Sequence, residues 1–417
     1  MNTRSVKKRI KTTIRLIFLT YLIIGCAPSN INNIENIQKE VFVSPKMRDA
    51  SLSSPTLDLD EFPNRVALLL PLSGQYKREG ESVLIGFLSA HYSLMRSNQK
   101  IQSINIYDTQ SYDNVKDVYD QAVNEGAEFI IGPLLQDSVS ELSEKIAFNV
   151  PVLALNSNQN NDVYTIGMYQ FSLSSLDEVI STSNKVVSDG NKLGAIIMPN
   201  NELGRDLRDV YKSTFESMGG MILDDQFYNP NNQDFSDELK ELLIINNSEN
   251  RHRRLSANLG EFIAFEPRRR QDIDFIFLLA TDITNAKLLK SQLDYHLSGD
   301  DPIPIYSTSN IFSLRENMDD LEGVIFTDAP WVIDQQSWLR DLPSKLMKFW
   351  PGEAIQSRQN AMGYDAYFLT SKLAKQNNNY LKEFNGATGQ LYMDSENKIR
   401  RRLAWAKLID GKTEVTE

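Results

Sequence analysis

Short apolar runs alternate with helical patterns along most of this 417-residue chain, from Arg65 onward. The apolar runs have the length and composition of buried strands: Val66–Leu70, Ile104–Tyr107, Phe129–Ile131, Val152–Leu155, Leu193–Met198, Phe275–Ala280, Ile303–Tyr306 and Val324–Phe326. Between most of them, apolar residues recur at helical spacing, as at Val83, Leu84, Phe87 and Leu88. Strands that alternate with helices predict an α/β protein with parallel sheets and helices on both faces.

The length of this alternating region indicates how many sheets it forms. About 350 residues exceed what one sheet and its helices usually accommodate, so the sequence predicts two lobes. Apolar residues between Leu203 and Met218 fall on one face of a predicted helix, and Gly219-Gly220 follows where a helix C-cap is expected. Each lobe is therefore expected to contain its own sheet and its own covering helices.

The first 25 residues have the layout of a secretory signal peptide. Six basic residues and no acidic ones accompany Leu16–Ile24, an apolar stretch that is too short for a membrane span of about 20 residues. Leu22-Ile23-Ile24-Gly25-Cys26 resembles a bacterial lipobox, which implies cleavage before Cys26 and lipidation of this single cysteine. A buried structural cysteine is the alternative, but a first mature residue has no core around it.

The residues around Cys26 indicate which membrane anchors the protein and what net charge the mature chain carries. Ala27 stands where Asp would resemble an inner-membrane retention signal, so the resemblance implies an outer-membrane anchor that faces the periplasm. Residues 26–62 are rich in Asn, Ser and Pro without a lasting period, which predicts a flexible linker. Loss of the six basic residues would change the formal net charge from −11 to −17, which disfavours nucleic acids and anionic lipid surfaces as partners.

A basic segment interrupts this acidic chain between Asn246 and Gln271. It carries Arg251, Arg253, Arg254, Arg268, Arg269 and Arg270. One hypothesis is a solvated insertion on the surface of a lobe. The other is a docking surface for an acidic partner through Arg268, Arg269 and Arg270.

Residues suited to catalysis are sparse. His91, His252 and His296 are isolated in the sequence, and none has a metal-ligand spacing. No GxSxG, phosphate-binding P-loop or GxGxxG motif occurs. The sequence therefore argues against a serine hydrolase and against a metalloenzyme.

Small and polar residues follow three of the predicted strands. Open α/β sheets bind ligands at the carboxyl ends of their strands, so these tips could surround one cleft. The alternative is that Gly and Pro only form tight turns there. The candidate cleft residues are Ser73, Gly74, Gln75, Gly132, Pro133, Asn156 and Ser157.

Several stretches resemble known families. "ALLLPLSGQ", "IIGPLL", "VPVLALN" and "GYDAYFL" resemble the type I periplasmic-binding-protein fold, the architecture of Leu/Ile/Val-binding proteins. "YQFSLSSLDEV", "PNNELGRDL", "FEPRRRQDIDFIFLLAT", "GVIFTDAPW" and "GATGQLYMDSENKIRRRLAWAKLIDGK" are more similar to the C-terminal domain of the penicillin-binding protein activator LpoA family. Together these stretches extend over nearly all of residues 63–412.

The resemblance implies two Rossmann-like lobes joined by three crossings. It assigns residues 63–168 plus 325–384 to lobe 1 and residues 169–324 plus 385–417 to lobe 2. The crossings would then lie near Ser157–Gln170, Val324–Trp331 and Phe384–Gly389.

The resemblance also implies a function that is not enzymatic and that requires no cofactor or metal. A member of this family would bind a class A penicillin-binding protein and stimulate its peptidoglycan synthesis. The alternative is a solute-binding lipoprotein of an amino-acid-type ABC importer, with a small-molecule ligand in the cleft.

Overall fold

The computed structural model describes residues 62–94, 102–144, 147–158, 165–260, 264–297, 302–333, 357–374, 381 and 383–416. The predicted signal peptide, the lipid anchor at Cys26 and the linker up to residue 61 lie outside these ranges. Within the ranges, none of the helices combines the length and the apolar character needed to cross a membrane.

The described strands form two sheets. In chain order they are β1 (Arg65–Leu70), β2 (Ser103–Asp108), β3 (Phe129–Ile131), β4 (Ala147–Ala154), β5 (Ile166–Phe171), β6 (Leu193–Pro199), β7 (Met221–Tyr228), β8 (Phe275–Leu278), β9 (Ile305–Ser307), β10 (Ile325–Asp328), β11 (Phe384–Asn385), β12 (Gln390–Met393), β13 (Lys398–Arg402), β14 (Ala404–Ile409) and β15 (Lys412–Thr416). The first sheet has the order β11-β12-β13-β5-β4-β3-β1-β2, and the second has the order β15-β14-β10-β9-β8-β6-β7.

Parallel pairing dominates both sheets, and the antiparallel strands lie at one side of each. In the first sheet only β11–β12 and β12–β13 pair antiparallel, and in the second only β10–β14 and β14–β15 do so, among the strands described. In β1, five consecutive residues from Val66 to Leu70 are buried because helices cover both faces of the sheet. The predicted α/β class with two sheets is confirmed.

The described α-helices connect these strands. They are α1 (Lys77–Leu94), α2 (Val115–Asn124), α3 (Gln136–Ser143), α4 (Ser175–Ser188), α5 (Glu202–Ser217), α6 (Ser236–Leu242), α7 (Ile245–Leu259), α8 (Ile283–Leu297), α9 (Pro330–Ile333) and α10 (Arg358–Leu373). α5 begins where the side chain of Asn201 accepts a hydrogen bond from the N–H of Gly204 at 2.7 Å. It ends before Gly219, whose φ of 90° is the left-handed conformation that stops a helix.

The described strands cross from one sheet to the other three times. The first crossing runs from β5 to β6 through α4, the second from β10 to β11 through α9 and α10, and the third from β13 to β14 at Leu403. The first and third crossings lie later in the chain than the positions implied near Ser157–Gln170 and Phe384–Gly389. The reason is that β5 and the β12–β13 hairpin complete the first sheet before the chain leaves it.

These strand memberships suggest a division of the lobes by sheet. We propose that lobe 1 comprises residues 62–171 and 357–402, and that lobe 2 comprises residues 172–333 and 403–416. The sequence-based division placed β10 in lobe 1 and β12 and β13 in lobe 2, whereas β10 pairs with β9 and β14 and β13 pairs with β5.

Helices α1 and α10 pack backbone to backbone on the first sheet. A Cβ atom added at Gly86 would lie 2.0 Å from the carbonyl oxygen of Asn360, and one added at Gly363 would lie 2.0 Å from that of Val83. Real Cβ contacts are longer than 3.0 Å, so only glycine permits this approach. The Asn360 side chain adds a hydrogen bond across the crossing, donating to the carbonyl of Ser82 at 2.8 Å.

Candidate functional site

The predicted cleft residues lie at one edge of the first sheet. Strands β4, β3 and β1 are adjacent and parallel, so their carboxyl ends are side by side. The tips after β3 and β4 are in contact, since the Asn156 amide donates to the carbonyl of Leu134 at 3.1 Å and the Leu155 N–H donates to that of Pro133 at 3.0 Å. The structure thus brings Gly132, Pro133, Asn156 and Ser157 together.

The loop after β1 is held by Asp108 at the end of β2. The N–H of Leu72 donates to the Asp108 carboxylate at 2.9 Å, and Gly74 and Gln75 are exposed beyond it. Burial alone would raise the pKa of Asp108, but hydrogen bonds from the Ser73 hydroxyl and nearby backbone N–H groups outweigh it and lower that pKa. Ser73 therefore contacts Asp108 at the end of the neighbouring strand β2.

The glycine after β3 has a packing role that is independent of any ligand. Gly132 has a φ of 102°, and a Cβ atom there would lie 2.1 Å from the carbonyl oxygen of Leu69 in β1. Local geometry therefore explains Gly132 as the turn hypothesis expected. Ligand binding at this edge stays a prediction.

The three arginines of the predicted docking surface have different environments. Arg268 is exposed, whereas Arg269 is only 6% exposed and donates to the carbonyl of Arg270 at 2.9 Å. The Arg270 guanidinium bonds to Asp272 at 2.7 Å and to Asp224 at 3.3 Å. Of the three arginines, Arg268 is thus the one that is exposed for a partner.

Buried ion pairs connect the two sheets, and no local sequence pattern predicts them. Asp177, in the first turn of α4, lies 2.9 Å from Arg400 and 3.5 Å from Arg401, both on β13. The next residue, Glu178, faces the second sheet and accepts hydrogen bonds from the N–H and hydroxyl of Ser309 at 3.0 and 2.9 Å. The first turn of α4 therefore contacts both lobes.

A second ion pair links α10 to the end of β10. The Arg358 guanidinium binds the Asp328 carboxylate through two nitrogens, at 2.7 and 2.5 Å, and also donates to the carbonyl of Ser309 at 2.8 Å. Asp328 is 1% exposed. Burial raises the pKa of the neighbouring Glu178, although Arg401 and Arg358 act to lower it.

A buried carboxyl on α10 fixes the loop after β11. Asp365 accepts hydrogen bonds from the N–H groups of Ala387 and Thr388, at 2.6 and 2.7 Å, and from the Thr388 hydroxyl. The carbonyl of Ala387 in turn accepts the N–H of Trp331 in α9 at 3.0 Å. Loop, α9 and α10 therefore form one connected unit at the second crossing.

Asp365 is expected to make stability depend on pH. Burial raises its pKa from 3.8 to about 6, so the folded protein holds this proton more tightly than the unfolded chain. The stabilisation is fully present below about pH 4 and is lost as pH rises through 6. Relative to Asp365→Asn, the free energy of unfolding of the wild type should fall by about 2–3 kcal/mol between pH 4 and 7. Urea unfolding at each pH measures this difference, and parallel curves for the two proteins would contradict the prediction.

Among the described residues, no group of three His, Cys, Asp or Glu side chains lies close enough to hold a metal ion.

Comparison with known proteins identifies the family. The family described as "LppC putative lipoprotein" matches residues 56–411 of this chain. The chain belongs to the LppC family. This LppC chain is 26% identical over 380 residues to the penicillin-binding protein activator LpoA of Photobacterium profundum. The aligned region covers 89% of this chain and 60% of that relative. It spans about three fifths of the length of the curated relatives it matches.

Solved structures show the same fold. The C-domain of LpoA from Haemophilus influenzae, described as a regulator of PBP1A, has a TM-score of 0.63 at 24% identity and covers 85% of the LppC chain and 100% of that domain. An ABC transporter substrate-binding protein from Sphaerobacter thermophilus has a TM-score of 0.60 at 14% identity and covers 85% of the chain and 96% of that protein. The predicted fold and the predicted family resemblance are confirmed.

Proposed function

We propose that this LppC protein is anchored to the outer membrane through a lipid on Cys26 and faces the periplasm. There it binds a class A penicillin-binding protein and stimulates its peptidoglycan synthesis. The observation that carries the proposal is the family match over residues 56–411, which includes every described strand except β15 and all three described crossings. Relatives in this family are named as penicillin-binding protein activators.

An activator of this kind needs a surface that binds one conformation of its partner more tightly than another. The ion pairs of Asp177 and Arg358 link elements of both sheets, and they favour a body whose lobes keep one arrangement. A preorganised surface loses less conformational entropy on binding than a mobile one. The synthase supplies the chemistry, so the proposed activator needs no catalytic residues or cofactor of its own.

The second candidate is a solute-binding protein of an amino-acid-type importer. The fold shared with ABC transporter substrate-binding proteins and the polar strand tips at one sheet edge favour it. The contacts of Ser73 with Asp108 and the packing role of Gly132 weaken the case for these residues as ligand groups.

Reconstitution tests the activator proposal. The lipidated protein, purified in detergent, is mixed with the class A penicillin-binding protein of the same organism, and glycan polymerisation and crosslinking rates are measured. We expect direct binding and faster synthesis, with the heat-unfolded protein as the inactive control. Mass spectrometry of the same sample should show a lipid on Cys26.

Two results would contradict the proposal. One is the absence of both binding and rate enhancement in the reconstituted mixture. The other is a thermal shift of several degrees with one amino acid, which would favour the importer function because a ligand stabilises the folded state that binds it.

A further inference from the structure

Helix α7 projects from the second lobe instead of packing along its length. Ile245 and Ser248, in its first turn, are its buried residues. From Glu249 to Leu259 every described side chain is exposed or half-buried, over a helix length of about 16 Å. A helix of this length usually buries one face against its own domain, so the exposed part of α7 suggests contact with another molecule.

The segment after α7 runs back along the helix. The Arg268 N–H donates to the Ser248 hydroxyl at 3.2 Å, and the rings of Phe265 and His252 stack at 4.1 Å with an angle of 5° between their planes. At the base, the Arg270 N–H donates to the carbonyl of Leu243 at 2.8 Å. Helix α7 and residues 264–270 therefore form one structured projection, which we call the arm.

The arm has an apolar stripe that the lobe covers only at its base. At 100° per residue, Leu255 and Leu259 lie on the same side of α7 as the buried Ile245. Leu255 is 50% exposed and Leu259 is 58% exposed, and Phe265 beside them is 39% exposed. The outer half of the stripe is thus open to solvent.

Arginines are the main charged residues of the arm, and at 100° per residue Arg251 is the helix arginine that lies beside Leu255, whereas Arg254 lies opposite Ile245. Arg251, Arg253, Arg254 and Arg268 are exposed in the arm, whereas Glu266 is its exposed acidic residue and Glu249 pairs with Lys240 at 3.5 Å. The whole chain has 55 acidic and 44 basic residues, so the arm is a positive surface on an acidic protein. Arginine binds carboxylates through two parallel hydrogen bonds, and arginines and aromatic residues are enriched at the energetic centres of interfaces.

We infer that the arm docks an acidic, amphipathic segment of the peptidoglycan synthase, an assignment that rests on the proposed function. Apolar side chains of that segment would cover Leu255, Leu259 and Phe265. Carboxylates beside them would pair with Arg251 and Arg268. An exposed apolar stripe bordered by arginines matches such a segment in both hydrophobicity and charge.

Paired variants of the full-length lipidated protein test this assignment. Arg251→Glu with Arg268→Glu reverses the charge beside the stripe, and Leu255→Ser with Leu259→Ser removes the apolar stripe itself. Arg78→Glu with Arg315→Glu is the matched charge control, and Leu203→Ser with Leu314→Ser is the matched apolar control, because all four residues are exposed and none belongs to the arm.

Affinity for the synthase is measured by surface plasmon resonance at low and high salt. We expect each arm variant to weaken binding about tenfold or more and each control pair to stay within about twofold of wild type. The charge-reversal effect should shrink as salt rises, whereas the leucine effect should persist. Unchanged melting temperatures would show that the variants remain folded, since the substituted side chains are exposed.

The outcomes separate the assignment from the proposed function. If the wild type binds the synthase and both arm variants bind equally well, the docking assignment is overturned and the activator function stands. If the wild type does not bind, the proposed function fails and the assignment fails with it. Two further results would also overturn the docking assignment, provided that the arm variants still bind the synthase. One is loss of binding to phosphatidylglycerol vesicles in the arm variants, and the other is loss of a wild-type dimer in those variants, measured by sedimentation.

Discussion

An Asp177→Ala variant is expected to lose about 3–5 kcal/mol of its free energy of unfolding. Removal of this carboxylate leaves the guanidinium groups of Arg400 and Arg401 buried without their shared counter-ion, at 11% and 2% side-chain exposure. The cost of an unpaired buried charge exceeds the value of the pair itself, which is why the loss is large. Urea unfolding followed by tryptophan fluorescence measures it.

An exposed ion pair provides the control for Asp177. Glu81 lies 3.5 Å from Lys77 on α1, and both side chains are at least half exposed. Glu81→Ala should therefore cost less than about 1 kcal/mol. A further variant, Asp177→Asn, keeps the side-chain shape and should lose an intermediate amount. Equal stability of Asp177→Ala and Glu81→Ala would show that the buried pair does not hold the lobes together.

Gly86→Val is expected to destabilise the protein by more than about 3 kcal/mol. Overpacking a core typically costs 1–3 kcal/mol, and here the obstacle is the backbone carbonyl of Asn360, which cannot move aside as a side chain would. The added methyl groups would force α1 and α10 apart and open the core around Phe87 and Tyr367. Chemical unfolding measures the loss.

Helix propensity does not account for this loss, because valine is a better helix former than glycine, and a second valine variant on the same helix gives the baseline. Arg78→Val lies on the exposed face of α1 and should cost well under 1 kcal/mol. Gly86→Ala, which adds only the Cβ atom, should already be clearly less stable than wild type. A Gly86→Val protein as stable as Arg78→Val would contradict the close helix crossing.

Strands that are buried on both faces were predictable from the sequence. The predicted bounds of β3 match the structure, those of β1 differ by one residue at one end, and those of β2 differ by one residue at each end. The β7 sequence, MILDDQFY, lies at the sheet edge and was not predicted because its charged residues interrupt the apolar run. The β13 sequence, KIRRR, was also missed as a strand.

Strands such as β13 were not predicted because the contacts that bury them join residues far apart in the chain. KIRRR looks like a solvated surface segment, yet Arg401 is buried because Asp177 lies against it. A periodicity within a short window cannot show such a pairing. The same limit applies to Arg268, Arg269 and Arg270, since only tertiary contacts reveal that Arg269 and Arg270 face the protein.

The candidate cleft was predictable in position but not in role. Adjacent parallel strands necessarily bring their carboxyl ends to one edge, which is why Gly132, Pro133 and Asn156 lie together. Whether a serine hydroxyl is free for a ligand or bonds to the protein depends on the side chains of the neighbouring strand. At Ser73 that neighbour is Asp108, whose role no local pattern indicated.

The close crossing of α1 and α10 has a consequence for the order of assembly. One helix comes from the beginning of the folded region and the other from its last quarter, so the lobe that is synthesised first must wait for the end of the chain to complete its core. Until then its nascent sheet lacks β11, β12 and β13, so the edge of β5 has no partner strand. A ribosome product that stops before Arg358 should therefore expose aggregation-prone apolar surface and attract chaperones.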